Sequence, residues 1–427
     1  MKGTLKNRLV NSCFGLCLGL FFFVGCKPLL NVSSRNLASS YRNDVSLLNP
    51  QYVIYHSSES QSEFHFKIKS KELLYARLGN DKFFTARLLI SYKLYSSYES
   101  LEIIDSSSIK LIDEHYNEAE NDVVGKILFK ANYGNRYLLE VNVKDLNRSL
   151  EQSTYLPIDK LNKLVRQNFI VINSDERSPL FNNYLKSGDK VMISSKNKMD
   201  SLFVRYYKRN FPFPAPPFAE TQPIYFEYKA DSTFILKCDS NNNVSFQLSK
   251  EGFYHFQCDT IQKNGLTLFR FNDEFPEFGS AEQLLSPLRY ITSREEFEEM
   301  EKSKNAKSEV DNFWLNISSS KERAKEIIRK FYNRVKESNT YFTSYLEGWK
   351  SDRGLVYIIF GYPNTVYKST NYESWTYGET NNVNSFTFNF VKVINPFTEN
   401  DFILDRSPIY KNNWYKAVDA WRQGRAY

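Results

Sequence analysis

Gly348-Trp349-Lys350-Ser351-Asp352-Arg353-Gly354-Leu355-Val356-Tyr357-Ile358-Ile359-Phe360-Gly361 is the stretch on which the fold turns. Before it, Ala324, Ile327, Ile328, Phe331, Val335, Phe342 and Leu346 recur at helical spacing, which predicts one long helix over about residues 320–347. Ser319 with Glu322 matches a capping box at its start, and Gly348 is placed to close its end through a positive φ. Trp349 would then fold back as the apolar contact that accompanies such caps, and Asp352 would bond nearby amides. Leu355–Phe360 reads as a strand, followed by a turn at Gly361-Tyr362-Pro363-Asn364 and strands at 374–377 and 386–390. A last helix opens at Ser407-Pro408, with Trp414, Val418 and Trp421 on one face. Residues 280–427 are thus expected to form an α+β domain with a long helix and an antiparallel sheet.

Upstream, the period changes. From Tyr52 to Val143 short β-type runs alternate with polar turns: Tyr52–Tyr55, Phe64–Ile68, Arg87–Tyr92 and Tyr137–Val143. A second series, Phe169–Ile172, Lys190–Ile193, Leu202–Tyr207, Phe234–Leu236 and Val244–Leu248, follows. The expected fold class is therefore multidomain β and α+β: two β-sandwich, Ig-like domains at 48–150 and 160–272, then the α+β domain. Within the second series, Phe211-Pro212-Phe213-Pro214-Ala215-Pro216-Pro217-Phe218 must be extended, and it is expected to pack on its own domain rather than dock in a partner's groove. With 427 residues, 41% of them hydrophobic and 16% aromatic, the chain can fill such cores. Its 56 Lys and Arg against 49 Asp and Glu are spread along the chain, which argues against nucleic acid as a partner.

The central stretch also carries a resemblance. Gly348-Trp349-Lys350-Ser351-Asp352, the following Val356–Asn364, Glu373–Tyr377, the upstream Phe331–Val335 and the downstream Trp421–Arg425 together resemble the GWxTD domain of Bacteroidota outer-envelope proteins, over roughly the last third of the chain. Ser351 stands where the family has threonine, keeping the hydroxyl and losing a methyl. The resemblance implies a domain and a cell-envelope address, and no biochemical activity. From the residues alone the motif is first a rigid corner, with Arg353 paired to Glu347 or Glu373. The alternative reading makes Trp349, Ser351, Asp352, Arg353 and Trp375 a binding cluster.

The N-terminus supports the address. Lys2, Lys6 and Arg8 precede an apolar run from Phe14 to Val24, too short to span a bilayer, so residues 1–25 read as a signal peptide. The run ends Phe23-Val24-Gly25-Cys26, which resembles a bacterial lipobox and implies lipidation of Cys26, a membrane anchor of several acyl chains. The polar residues 26–47 are expected to be a tether without a core. Surface-displayed lipoproteins of Bacteroidota resemble one another in carrying acids just after that cysteine. Here the first acid is Asp44, which favours the periplasmic face of the outer membrane.

Few residues are arranged for chemistry. His56, His65, His115 and His255 form no metal-binding pair, and neither a P-loop nor a nucleophile elbow is present. Cys238, Asp239, His255 and Cys258 do not make a metal site, because His255 and Cys258 are three apart on a strand and point to opposite faces. Asp239, Asn241 and Asn243 resemble a calcium loop but lack the glycine and the final glutamate. Cys238 and Cys258 remain a possible disulfide: in a simple meander they lie roughly 10 Å apart, and if one strand crosses to the facing sheet a bridge becomes feasible. No cofactor or metal is expected. The sum is a non-enzymatic outer-membrane lipoprotein, a binding or assembly module with an envelope protein partner, in a setting such as secretion, gliding or outer-membrane assembly. The alternatives are a glycan- or peptidoglycan-binding lipoprotein with exposed Trp349, Trp375 or Tyr207, and an enzyme with an unfamiliar site at Asp352 and Arg353.

Overall fold

A computed structural model describes residues 30–42, 48–77, 79, 82–116, 121–208, 211–220, 226–318, 320–379 and 382–426. The signal segment, Cys26 and Ser319 lie outside the described residues. Among those described, no helix is long and apolar enough to cross a membrane.

Seven strands come first: β1 Gln51–Tyr55, β2 Gln61–Ile68, β3 Phe84–Tyr95, β4 Ile103–His115, β5 Val123–Lys130, β6 Arg136–Asp145 and β7 Leu150–Asp159. They form two antiparallel sheets, ordered β1-β2-β5 and β4-β3-β6-β7. Period-two alternation does the sorting: Leu88, Ile90, Tyr92 and Leu94 of β3 and Leu139, Val141 and Val143 of β6 point inward against Phe64, Phe66 and Phe129.

The next eight strands are β8 Phe169–Asn173, β9 Ser178–Pro179, β10 Lys190–Ser195, β11 Ser201–Tyr207, β12 Ser232–Lys237, β13 Asn243–Gln247, β14 Gly252–Gln257 and β15 Leu266–Arg270. Their sheets are β13-β10-β8-β9 and β12-β11-β14-β15, with Val191, Ile193, Val204, Phe256 and Leu268 between them. One strand, β13, does cross to the facing sheet, but β11 fills the place it leaves between β12 and β14. Cys238 and Cys258, which follow β12 and β14, therefore remain about two strand spacings apart, roughly 10 Å, and both are free thiols. Burial and the neighbouring Cys238 push the Cys258 thiol up to about 11.

The C-terminal part holds α1 Ala281–Leu285, α2 Arg294–Lys302, α3 Ala306–Asn316, α4 Lys321–Phe342, α5 Asp352–Phe360 and α6 Lys411–Arg422. A sheet of β16 Thr365–Lys368, β17 Tyr372–Tyr377, β18 Phe386–Lys392 and β19 Phe402–Leu404 pairs antiparallel in that order. The β and α+β architecture is as expected, but four local expectations are corrected.

The long helix ends at Phe342, not near 347, and its N-cap is Ser320, which accepts from the Arg323 N–H. Residues 355–360 are helical in α5. All nine residues of α5 are buried, so the run shows no polar face from which a helical period could be read. Phe211 packs in a cluster with Tyr207, Phe226 and Phe253 of its own domain, but residues 213–218 strap across the C-terminal domain instead: Phe213 packs 5.6 Å from Trp349 and 5.9 Å from Phe297, and the Pro217 carbonyl accepts from the Ser407 N–H. Finally, the described part of the 26–47 segment is no free tether. Val32–Ser34 and Ala38–Tyr41 form 3-10 turns, and Val32, Leu37, Ala38 and Tyr41 are buried in the C-terminal core. The Leu37 N–H donates to the Val366 carbonyl and Asn36 Oδ1 accepts from the Val366 N–H, so this segment covers the open edge of β16.

Candidate functional site

The motif stretch sits where α4, α5 and the C-terminal sheet meet. A Cβ on Gly348 would lie 1.9 Å from the Ser338 carbonyl oxygen, and one on Gly354 would lie 2.0 Å from the Gly348 carbonyl oxygen. These glycines are needed for close backbone approach. Neither is among the positive-φ residues, which corrects the helix-closing role expected of Gly348.

Trp349 is 2% exposed, enclosed by Phe213, Phe278 and Tyr290. Its backbone N–H donates to Asn339 Oδ1 and its carbonyl accepts from the Tyr290 hydroxyl at 2.8 Å. Ser351 is the N-cap of α5: its Oγ accepts from the Gly354 N–H at 3.0 Å and donates to the Gly348 carbonyl at 2.7 Å. A hydroxyl is all that this position uses here.

Asp352, in the first turn of α5, pairs through both oxygens with Arg406 and accepts from the Leu404 N–H at 2.8 Å. Arg353 is buried between the rings of Phe342 and Phe402 and reaches Glu373 at 3.2 Å and the Asn400 carbonyl at 3.0 Å. Of its two candidate partners the structure selects Glu373, while Glu347 pairs with Lys350. Glu373 is the hub, accepting also from the Tyr41 hydroxyl at 2.9 Å and Trp375 Nε1 at 3.1 Å, with Lys368 at 3.4 Å. Burial opposes its charge, yet Lys368 and Arg353 outweigh it and hold the carboxyl at about 2. Nearby Asp401 goes the other way: burial raises it to about 6 against the pull of Arg353.

The binding cluster expected of Trp349, Ser351, Asp352, Arg353 and Trp375 is therefore corrected. The structure does bring these residues together, but inside the molecule, where Ser351, Asp352, Arg353 and Trp375 bond neighbouring buried groups and the Trp349 indole N–H has no hydrogen-bond partner. Trp375 and Tyr207 are fully buried as well, which removes the rings expected of a stacking platform.

Sequence reasoning missed Arg334. Its Nη1 donates to the Ile358 and Ile359 carbonyls at 3.0 and 3.1 Å, where Trp421 Nε1 also reaches Ile359 and the Tyr377 hydroxyl reaches Gly361. These donors satisfy the carbonyls at the C-terminal end of α5. The signal was present: Arg334 lies beside Phe331, Val335 and Ser338 on the buried face of α4. Segments 331–335, 348–364, 373–377 and 421–425, separate in sequence, thus converge on one buried helix.

Elsewhere the buried histidines and the Asp239 turn are likewise engaged. His56 and His255 each bond a hydroxyl and a carbonyl, and burial lowers both to about 4. Asp239 Oδ1 accepts from the Asn241 and Asn243 N–H groups in a turn. A cavity of about 340 Å³ between the two β units is lined by His56, Tyr133, Lys160, Lys163 and Lys196. Lys160 donates there to the Ser58, Glu59, Gln61 and Ala131 carbonyls and knits those loops together. Among the described residues no group of three His, Cys, Asp or Glu could hold a metal ion.

Residues 252–423 match the family model described as the GWxTD domain, so the chain carries that domain, from β14 through α6. No curated protein matches the chain. A crystal structure of red sea bream transglutaminase is similar over 52% of this chain and 31% of that one, at 10% identity and a TM-score of 0.17. The chain thus spans less than a third of that protein's length, and a likeness of this degree defines neither fold nor activity.

Proposed function

We propose that this protein is a non-enzymatic lipoprotein of the outer membrane, anchored through Cys26 and facing the periplasm, that serves as a binding or assembly module for envelope proteins. The observation that carries the reading is the docking of residues 32–41 into the GWxTD domain: Val32, only six positions after the lipobox cysteine, and Leu37, Ala38 and Tyr41 are structural cement for the domain farthest from them in sequence. Such an arrangement suits a rigid body displayed at a membrane. The motif supports it too, since Asp352 and Arg353, the residues of the enzyme alternative, are held in ion pairs with Arg406 and Glu373. The glycan-binding alternative loses support with the burial of Trp349, Trp375 and Tyr207.

The test is cross-linking and affinity purification of the tagged protein from native envelopes, beside Cys26→Ala. A protein partner captured only with the lipidated form supports the assembly role and identifies the machine. Absence of any enriched protein in both forms overturns it.

A further inference from the structure

The acyl anchor and the folded body are very close in this chain. From Cys26 to Leu30, the first described residue, there are four residue steps, at most about 14 Å of fully extended chain. The bilayer that holds Cys26 must therefore lie against the end of the molecule where residue 30 emerges.

That end is built from three segments fastened together. Asn31 Nδ2 donates to the Glu99 carbonyl at 3.1 Å and the Ser33 N–H to the Tyr98 carbonyl at 2.9 Å. The Glu99 carboxylate in turn accepts from the Thr370 N–H and hydroxyl at 3.2 and 3.1 Å. Around this junction Leu30, Leu101, Ile103, Ile104 and Tyr372 are all exposed. Two consecutive exposed isoleucines are unusual in a strand, whose neighbours normally point to opposite faces. A bulge accounts for them: Leu94 pairs with Asp105 and Tyr95 with Ile103, which leaves Ile104 as an extra residue and breaks the alternation. Among the described residues this end carries no basic surplus. Arg35 is engaged by Glu140 at 2.9 Å, Glu99 is bonded to Thr370, and Glu102 is exposed.

We infer that this end is a lipid-seating surface: Leu30, Leu101, Ile103, Ile104 and Tyr372 rest in the interfacial layer of the bilayer that holds the acyl chains of Cys26. The inference rests on the proposed anchoring. The contact is apolar rather than electrostatic, so it is insensitive to salt. It also sets an orientation. β3 and β4 run from this end for about 37 Å, so Phe83, Phe84 and Tyr116, exposed at the opposite end, stand at the far end of that strand pair.

The experiment uses the full-length acylated protein in vesicles of phosphatidylethanolamine and phosphatidylglycerol, with benzoylphenylalanine placed in turn at positions 101, 104 and 83, and acylation read by intact mass. The expected result is lipid photo-adducts at 101 and 104 several-fold above those at 83, unchanged in high salt. Equal adduct yields at all three positions on acylated protein overturn the seating surface and leave the anchor standing. Adducts from 101 or 104 to a second protein copy in place of lipid overturn it as well. Protein that is not acylated when made in a host that acylates a control lipoprotein overturns the anchoring reading, and the seating surface with it.

Discussion

The Tyr41 hydroxyl donates to the Glu373 carboxylate at 2.9 Å across 332 residues of chain. Tyr41 is also an acceptor for this domain, since its backbone carbonyl takes the Tyr357 hydroxyl at 3.0 Å and its ring lies 5.2 Å from that of Trp375. A residue near the start of the chain is therefore a core residue of the domain at its end. Tyr41→Phe deletes two hydrogen bonds, the one donated to Glu373 and the one accepted from Lys368 Nζ at 2.7 Å, and is expected to cost about 2 kcal/mol, and Tyr41→Ala, which also opens a cavity, about 4 kcal/mol. Urea unfolding followed by tryptophan fluorescence measures both; equal stabilities for wild type and Tyr41→Ala would sink the assignment.

Two of the buried carboxyls, Glu373 and Asp401, give opposite pH dependences. Glu373, held at about 2, contributes stability that is complete above pH 4.5 and lost as the pH falls towards 2. Asp401, raised to about 6, binds its proton more tightly in the folded state than in the unfolded one, so stability falls as the pH rises from about 4 to 6. Each effect is about 3 kcal/mol. Asp401→Asn is expected to abolish the fall between pH 4 and 6 and to leave the acid limb intact. Denaturant midpoints from pH 3 to 7 decide it.

The same substitution at two kinds of glycine should fail by different mechanisms. Gly348→Ala and Gly354→Ala each drive a methyl into a carbonyl oxygen and are expected to cost about 3 kcal/mol or more. Gly134 has a φ of 87° and nothing within 4 Å of the place a methyl would take, so Gly134→Ala meets only backbone strain, about 1 kcal/mol. Comparable melting temperatures for Gly348→Ala and Gly134→Ala would contradict the close-approach role.

Ser351→Thr preserves the cap of α5 and is expected to be neutral within about 0.5 kcal/mol, whereas Ser351→Ala loses it, at about 1 kcal/mol. Thermal unfolding of the pair separates a capping hydroxyl from a recognition group, because a ligand-binding role would leave stability alone in both.

What is legible in the sequence follows from how local each signal is. The apolar stripe of α4 and the alternating strands declare themselves within a few residues, because each has one wet face. The helix α5 has none, and a six-residue apolar run with β-branched residues then looks like a strand. Ser280 with Gln283 and Ser293 with Glu296 are capping boxes that mark α1 and α2 and are readable from their spacing. The N-terminal segment is not, since Val32, Leu37 and Tyr41 are scattered among Ser, Asn and Arg and their partners lie more than 300 residues away. Ser351 and Asp352 mark the motif as a corner, but its interior position depends on Arg406, Glu373 and Phe213, which no spacing rule connects to it.

The cover that Asn36 and Leu37 place on β16 also fixes an order of events. In a chain delivered N-terminus first, Val32, Leu37 and Tyr41 stay without their native neighbours until residue 366 has emerged, so the last domain closes around a segment that has waited through nearly the whole delivery. Closure of this kind has a high contact order and is slow. During that interval the strap at Phe213–Phe218 is equally bare of its Trp349 contact, and the half-delivered chain displays two unsatisfied apolar peptides at once. Until it closes, such a chain is exposed to association with its neighbours through both peptides.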